Sequence, residues 1–184
     1  FKLGTDVAFK DYMWEALKDP AAGINMIQTA ENLARQYGIT RAQVDEFASD
    51  SFAKAVAAQQ SGFHAGEIVP VVSEKFELEG HVTRGIRLQG KVTEVSQDTH
   101  ARISPAEVLA KLRPVYEGGV QTGGNSSALV DAAAASVVSS GSFARQWSQV
   151  QGRKPLAQLL AASVVGVPPA TMGIGPAPAI RLLL

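Results

Sequence analysis

Two glycine pairs, Gly118-Gly119 and Gly123-Gly124, stand five residues apart within KLRPVYEGGVQTGGNSSALVDAAAA, residues 111–135. No other run constrains the chain as strongly. Paired glycines let the backbone enter φ > 0 and approach another group closely. Asn125, Ser126 and Ser127 follow directly, then an alanine-rich apolar run. Small hydroxyl and amide side chains in that place either cap a helix or present donors and acceptors to a ligand.

Composition narrows the classes. The chain has 184 residues, enough to bury a core as one domain or two small ones. Apolar residues make up 46% and charged residues 18%, a globular rather than a disordered balance. Seventeen basic residues match seventeen acidic ones, so the basic surplus of a nucleic-acid binder is absent. No apolar run reaches the length of a membrane span, and no signal-peptide pattern opens the sequence. There is no cysteine, which excludes disulfides, zinc-thiolate sites and a thiol nucleophile within this chain. His64, His81 and His100 lie too far apart for metal-ligand spacing.

Taken in order, Val7, Phe9, Tyr12-Met13-Trp14 and Leu17 can line one helical face, which Asp19-Pro20 then breaks. Residues 29–61 predict two helices joined by a short turn. The first carries Ala30, Leu33, Ala34 and Tyr37 at helical spacing, with Thr29 as N-cap, Glu31 near the positive helix end and Gly38 as its stop. Thr40 to Gln43 reads as a capping box. The second helix would carry Val44, Phe47, Ala48, Ser51, Ala55 and Ala58 on one face and stop at Gly62. LARQYGITRAQVDEF has the outline of a DNA-binding helix-turn-helix. Its second helix carries Asp45, Glu46 and Asp50, which repel phosphates, so that class is set aside.

Residues 67–95 read as short strands. Pro70 favours an edge, and Gly80, Gly85 and Gly90 punctuate the run. Pro105 to Leu112 and Phe143 to Gln151 read as short helices. Length and composition leave Ala132–Ser139 open between a strand and a helix. Leu156–Val167, β-branched near its end, predicts a second long strand, closed by Pro168-Pro169.

Three stretches together resemble the thiolase family. LRPVY followed by GGVQTGGNSS and Asp131-Ala132-Ala133-Ala134 is similar to the family's L-[KR]-P-x-[FY] … T-A-G-N-[AS]-S-x-x-x-D-G-A-A-A signature. Gly123 stands where Ala is common and Ala132 where Gly is common. Met26, TAENLARQYGITRAQVDEFA, SDSFAKAVAAQQSGF and EIVPV resemble a second long family run, with Ile27 in place of Gly and Val44 where Gln is common. Thr171 to Ala179, TMGIGPAPA, resembles the M-G-x-G-P-x-[PY]-A element, closest to degradative 3-ketoacyl-CoA thiolases.

The resemblance implies an α/β fold class, part of a thiolase fold with a mixed sheet between helices and a largely helical cap or loop region. Residues 1–115 would be that cap region, and residues 116–184 the first part of the C-terminal α/β half. Ala132–Ser139 would then be a buried strand. The resemblance also implies an acyltransferase that cleaves 3-ketoacyl-CoA with a second CoA, or condenses two acyl-CoAs, through a cysteine acyl-enzyme. CoA and acyl-CoA would be substrates, with no other cofactor and no metal. The assembly would be a homodimer or homotetramer, cytoplasmic in a bacterium and mitochondrial or peroxisomal as options elsewhere. A non-catalytic thiolase-like lipid carrier or scaffold is the alternative.

Site residues follow by motif position. Ser127 would hydrogen-bond the pantetheine arm of CoA, and Tyr116 and Gly123 would line its channel. Arg102, in a stretch resembling the family's D-E-x-x-R element, would lie near the phosphates, where a guanidinium pairs bidentately with phosphate oxygens. Met26 would flank the thioester. Asn25 falls where some thiolases place a CoA-contacting His. No catalytic residue is expected within these residues.

The chain opens at Phe1 without Met and ends on Leu182-Leu183-Leu184, which leads to the expectation that the natural chain continues on both sides. Thioester chemistry needs a nucleophile, a base and oxyanion donors. With no cysteine and no His near Ser126 and Ser127, the 184-residue chain is expected to show no turnover of acetoacetyl-CoA with CoA. Turnover near the rate of a full-length thiolase would contradict that.

Overall fold

The computed structural model describes Gly4 and residues 9–184. They fall into two compact units: one from the residues up to Ile39 together with Leu129–Leu184, the other Thr40–Ala128. Of the apolar lead-in, Val7 lies outside the described residues. Helix α1, Tyr12–Ala16, is capped by the Asp11 side chain, and Phe9, Tyr12 and Trp14 stand exposed around it.

In the first unit, α2 spans Met26–Tyr37. Its N-cap is Asn25 rather than Thr29. Asn25 Oδ1 accepts from the Gln28 amide at 2.9 Å, and the Asn25 amide donates to Gln28 Oε1 at 2.9 Å. This reciprocal cap satisfies two orphan helix-end donors and starts the helix four residues earlier than expected. Thr29 lies inside the helix, where its hydroxyl donates to the Met26 carbonyl, and Glu31 is buried rather than at the helix end. Gly38 closes α2 in the left-handed conformation, φ 65°. Ala34 is buried, whereas Tyr37 is exposed.

The α2 helix packs on a 3-10 turn, Pro169–Ile174. Asn32 Nδ2 donates to the Ala170 carbonyl at 2.9 Å. A Cβ on Gly173 would stand 2.9 Å from Leu33 Cδ1, so the close approach depends on a bare backbone there. Two helices complete the unit's regular structure: α5, Gly141–Gln151, and α6, Pro176–Leu183.

Two expected strands of this unit take another form. Among the described residues, neither Ala132–Ser139 nor Leu156–Val167 enters a strand ladder. A strand is stabilised by its partner's ladder and by cover on its faces. Neither is present: Val137 and Val138 are 94% and 86% exposed, and Leu156, Leu159 and Leu160 are equally bare. Only Ser163, Val165 and Val167 alternate half-buried with exposed neighbours, and Ser163 Oγ donates to the Ala179 carbonyl at 2.8 Å. That alternation is the side-chain period of a strand without its hydrogen-bonded partner.

In the second unit, α3 spans Arg41–Gln60 behind the capping box of Thr40 and Gln43. Its covered face differs in part from the expected one. Val44, Ala48 and Ala58 are half-buried as expected, and Arg41, Asp45, Phe52, Val56 and Gln59 also turn inward to varying degrees, while Phe47, Ser51 and Ala55 face outward. The inward set still recurs at helical spacing, but it includes a charged pair that an apolar-face reading passes over. Two antiparallel ladders follow: β1, Val71–Val72, with β4, Glu94–Val95, and β2, Glu74–Phe76, with β3, Arg84–Ile86.

The short α4, Ala106–Leu109, packs on α3. Leu109 is the buried apolar centre of this unit. It lies with Leu112 over the bare backbone of Gly124: a Cβ there would stand 2.7 Å from Leu109 Cδ2 and closer still to Leu112 Cδ1. A Cβ on Gly123 would meet nothing within 4 Å, and Gly123 has no positive φ. The two neighbouring glycines should therefore respond oppositely to alanine in urea unfolding. Gly124→Ala is expected to cost about 1–3 kcal/mol by overpacking. Gly123→Ala is expected to be neutral or to stabilise by about 0.4–1 kcal/mol through the unfolded chain. Equal responses would contradict the packing.

Candidate functional site

The glycine-rich stretch folds as two linked turns. The Val115 amide donates to the Gln121 carbonyl at 2.9 Å and closes the first. Inside it the Gly119 amide donates to the Tyr116 carbonyl at 2.9 Å, and Gly118 takes φ 69°, a conformation that glycine adopts without strain. The second turn is built on side chains. The Thr122 amide donates to Asn125 Oδ1 at 2.7 Å, and the amides of Gly124 and Asn125 donate to Thr122 Oγ1 at 3.2 and 3.3 Å. Thr122 is wholly buried. Short polar side chains here replace a backbone ladder in satisfying the loop's buried amides.

Beneath this turn lies a buried ionic network. Asn125 Nδ2 donates to the Val120 carbonyl at 2.9 Å and to Asp45 Oδ1 at 2.8 Å. Asp45, only 2% exposed, accepts Arg41 Nε on its other oxygen at 2.7 Å. Arg41 Nη2 then donates to the carbonyls of Leu109 and Leu112 at 2.7 and 3.0 Å. Those carbonyls lie at the end of α4 and in the turn after it, and the Leu109 carbonyl also accepts from the Leu112 amide at 3.0 Å. Every element of the network is paired, as a buried charge requires. Removing one partner of such a pair typically costs about 3–5 kcal/mol.

The sequence alone does not reveal this network: there Asp45 reads as a surface acid alongside Glu46 and Asp50. Glu46 and Asp50 are indeed exposed, and Asp50 pairs with Lys54 at 2.6 Å. The available signal was the Arg41/Asp45 spacing of four on one helix. The partner Asn125 lies 80 residues further on.

The expected site residues distribute as follows. Tyr116, Gly123 and Ser127 sit on or directly after the paired turns, and Gly123 and Ser127 are exposed. Ser126 Oγ is enclosed without a hydrogen-bond partner. Arg102 belongs to the same unit. It is exposed, its guanidinium lies 5.4 Å from the Phe52 ring centroid, and it makes one long contact to the His100 carbonyl at 3.4 Å. His100 also rests against Phe52, ring centroids 5.7 Å apart. The cation–π contact holds Arg102 while leaving most of its donors uncommitted to acidic groups. Asn25 and Met26 belong to the other unit, at the cap and first turn of α2; Met26 is partly exposed and Asn25 is engaged in the cap. Among the described residues no helix is long and apolar enough to cross a membrane, and no cluster of three or more acidic or histidine side chains could hold a metal.

Known proteins resemble this chain in sequence and in fold. A family model described as the thiolase N-terminal domain matches residues 1–142. A beta-ketothiolase of Cupriavidus necator is 40% identical over 184 aligned residues, covering 97% of this chain and 42% of that protein. A 3-ketoacyl-CoA thiolase of Escherichia coli O1:K1 / APEC is 43% identical over 166 residues, 89% of this chain and 39% of the relative. The crystal structure of human mitochondrial 3-ketoacyl-CoA thiolase in complex with CoA superposes with a TM-score of 0.73 at 30% identity, covering 98% of this chain and 41% of that one. The chain thus spans about two fifths of the length of these relatives. With sequence, family model and structure in agreement, the chain belongs to the thiolase family.

Proposed function

We propose that this chain is the CoA-binding middle portion of an acyl-CoA thiolase. The whole protein would be an acetyl-CoA C-acyltransferase that cleaves 3-ketoacyl-CoA with CoA or condenses acyl-CoAs. Its nucleophilic cysteine would lie outside these residues, since this chain has none. Residues 1–115 would serve as its cap region and residues 116–184 as the start of its C-terminal half. The lipid-carrier alternative has no observation in its favour, because the relatives reported above are named as enzymes.

The observation that carries this reading is the pair of turns at 115–127. A pantetheine arm is a narrow chain of two amides ending in a thiol, and it needs a slot with a few fixed donors and acceptors. Open space over Gly123 provides room, and the exposed Ser127 follows a turn pinned from beneath. In this reading Ser127 hydrogen-bonds a pantetheine amide and Tyr116 and Gly123 line the channel. Arg102, held by Phe52, meets the nucleotide phosphates. Met26 flanks the thioester, and Asn25 contributes by capping the helix that starts at Met26. CoA and acyl-CoA act as substrates without a further cofactor.

Bare apolar runs at Val137-Val138 and Leu159-Leu160 support a place within a larger assembly, where strands would cover them. The same reading makes the whole protein a homodimer or homotetramer, and a bacterial one would act in the cytoplasm.

Ser127→Ala in the full-length protein tests the pantetheine assignment. Loss of one neutral hydrogen bond should cost on the order of 1 kcal/mol, about fivefold in CoA dissociation constant by calorimetry. Ser126→Ala, which removes an enclosed hydroxyl without a partner, should leave affinity unchanged. Unchanged affinity in Ser127→Ala would refute the assignment.

A further inference from the structure

We propose that Asp45 is a positioning residue for the turn at 120–125. Its buried carboxylate, oriented by Arg41, holds the Asn125 amide and thereby fixes the backbone that carries Gly123 and leads into Ser127. What the turn serves rests on the CoA reading above; what holds it rests on geometry alone.

The carboxylate has two oxygens and two distinct donors. Oδ2 takes Arg41 Nε and Oδ1 takes Asn125 Nδ2. Arg41 cannot swing away, because its Nη2 is committed to the Leu109 and Leu112 carbonyls. Those two residues are also the ones whose side chains lie over Gly124. One guanidinium therefore fixes the carboxylate and the backbone of the leucines that cover the turn. Asn125 completes the connection: with its nitrogen facing Asp45 and Val120, its oxygen is left pointing at the Thr122 amide. Reversing that amide would set oxygen against carboxylate and nitrogen against N–H. The charge of Asp45 thus selects one orientation of Asn125, and that orientation selects the turn.

Asp45→Asn keeps the volume but turns an amide nitrogen toward one of two donors. Asn125→Ala removes the same link from the loop side and leaves the Arg41–Asp45 pair intact, so it serves if Asp45→Asn does not fold. Ala53→Gly, on the exposed side of α3, supplies a destabilised helix with the network untouched. Amide hydrogen exchange at Thr122, Gly124 and Asn125 is followed in the full-length protein, with CoA affinity by calorimetry and the KM and kcat for CoA.

Asp45→Asn and Asn125→Ala are each expected to speed exchange at those amides at least tenfold. They should raise the KM for CoA by a similar factor while kcat changes less than threefold, and the double variant should be no worse than the worse single one. Ala53→Gly should leave the turn amides and KM as in the wild type. Wild-type exchange at the three amides in both network variants would overturn the proposal, as would equal acceleration in Ala53→Gly. A wild-type protein that binds no CoA, with a turn still freed by Asp45→Asn, would refute the CoA reading and uphold the role of Asp45.

Discussion

A carboxylate with 2% exposure organises the Thr40–Ala128 unit. Asp45 joins a long helix, the end of a short one and the glycine-rich turns through four donated hydrogen bonds, counting those of its partner Arg41 to Leu109 and Leu112. Burying an isolated carboxylate is prohibitive, so the network holds as a whole or fails as a whole. An apolar replacement of the set could match its stability, since buried ion pairs seldom outdo well-packed hydrocarbon. It could not choose the orientation of Asn125. The network's contribution is a defined loop geometry, which suits a place where a ligand's amides have to be met by fixed partners.

The small residues complement that network. Gly124 lets Leu109 and Leu112 settle on the turn, whereas Gly123, with open space above it, leaves the outer surface clear. Gly173 does the same service in the other unit, admitting Leu33 of α2. In both units the regular elements are pinned by side chain-to-backbone hydrogen bonds as much as by apolar burial: among the described residues Ala34 and Leu109 are the buried apolar ones, against five buried polar or charged ones. The polar balance agrees with a chain whose long apolar runs at 132–139 and 156–167 find no cover among the described residues.

Local signals are legible in the sequence. The capping box at Thr40 and Gln43, the left-handed Gly38 and the helix at 143–151 each depend on residues a few positions apart, and each forms; short strands also form within 67–95, though there Val71 pairs with Val95 and Glu74 with Ile86. Helix α2 starts ahead of Thr29 because two capping signals compete, and the Asn25/Gln28 pair satisfies two donors where Thr29 would satisfy one. Features that depend on distant partners were not legible. Nothing near Asp45 announces Asn125, and its acidic neighbours made it look solvated. The apolar composition of Ala132–Ser139 is strand-like, but a strand exists only with its ladder. The family signature did mark TGGNSS, and the structure shows how that segment folds into a pinned turn.

Residue-resolved NMR of the isotope-labelled protein during CoA titration tests the central claim most directly. Saturable shifts are expected at the amides of Gly123 through Ser127 and at Tyr116, with the Arg102 side chain responding at the same CoA concentration. Shifts confined to other segments, such as the β2–β3 ladder, with the turn unperturbed at saturating CoA, would contradict the account.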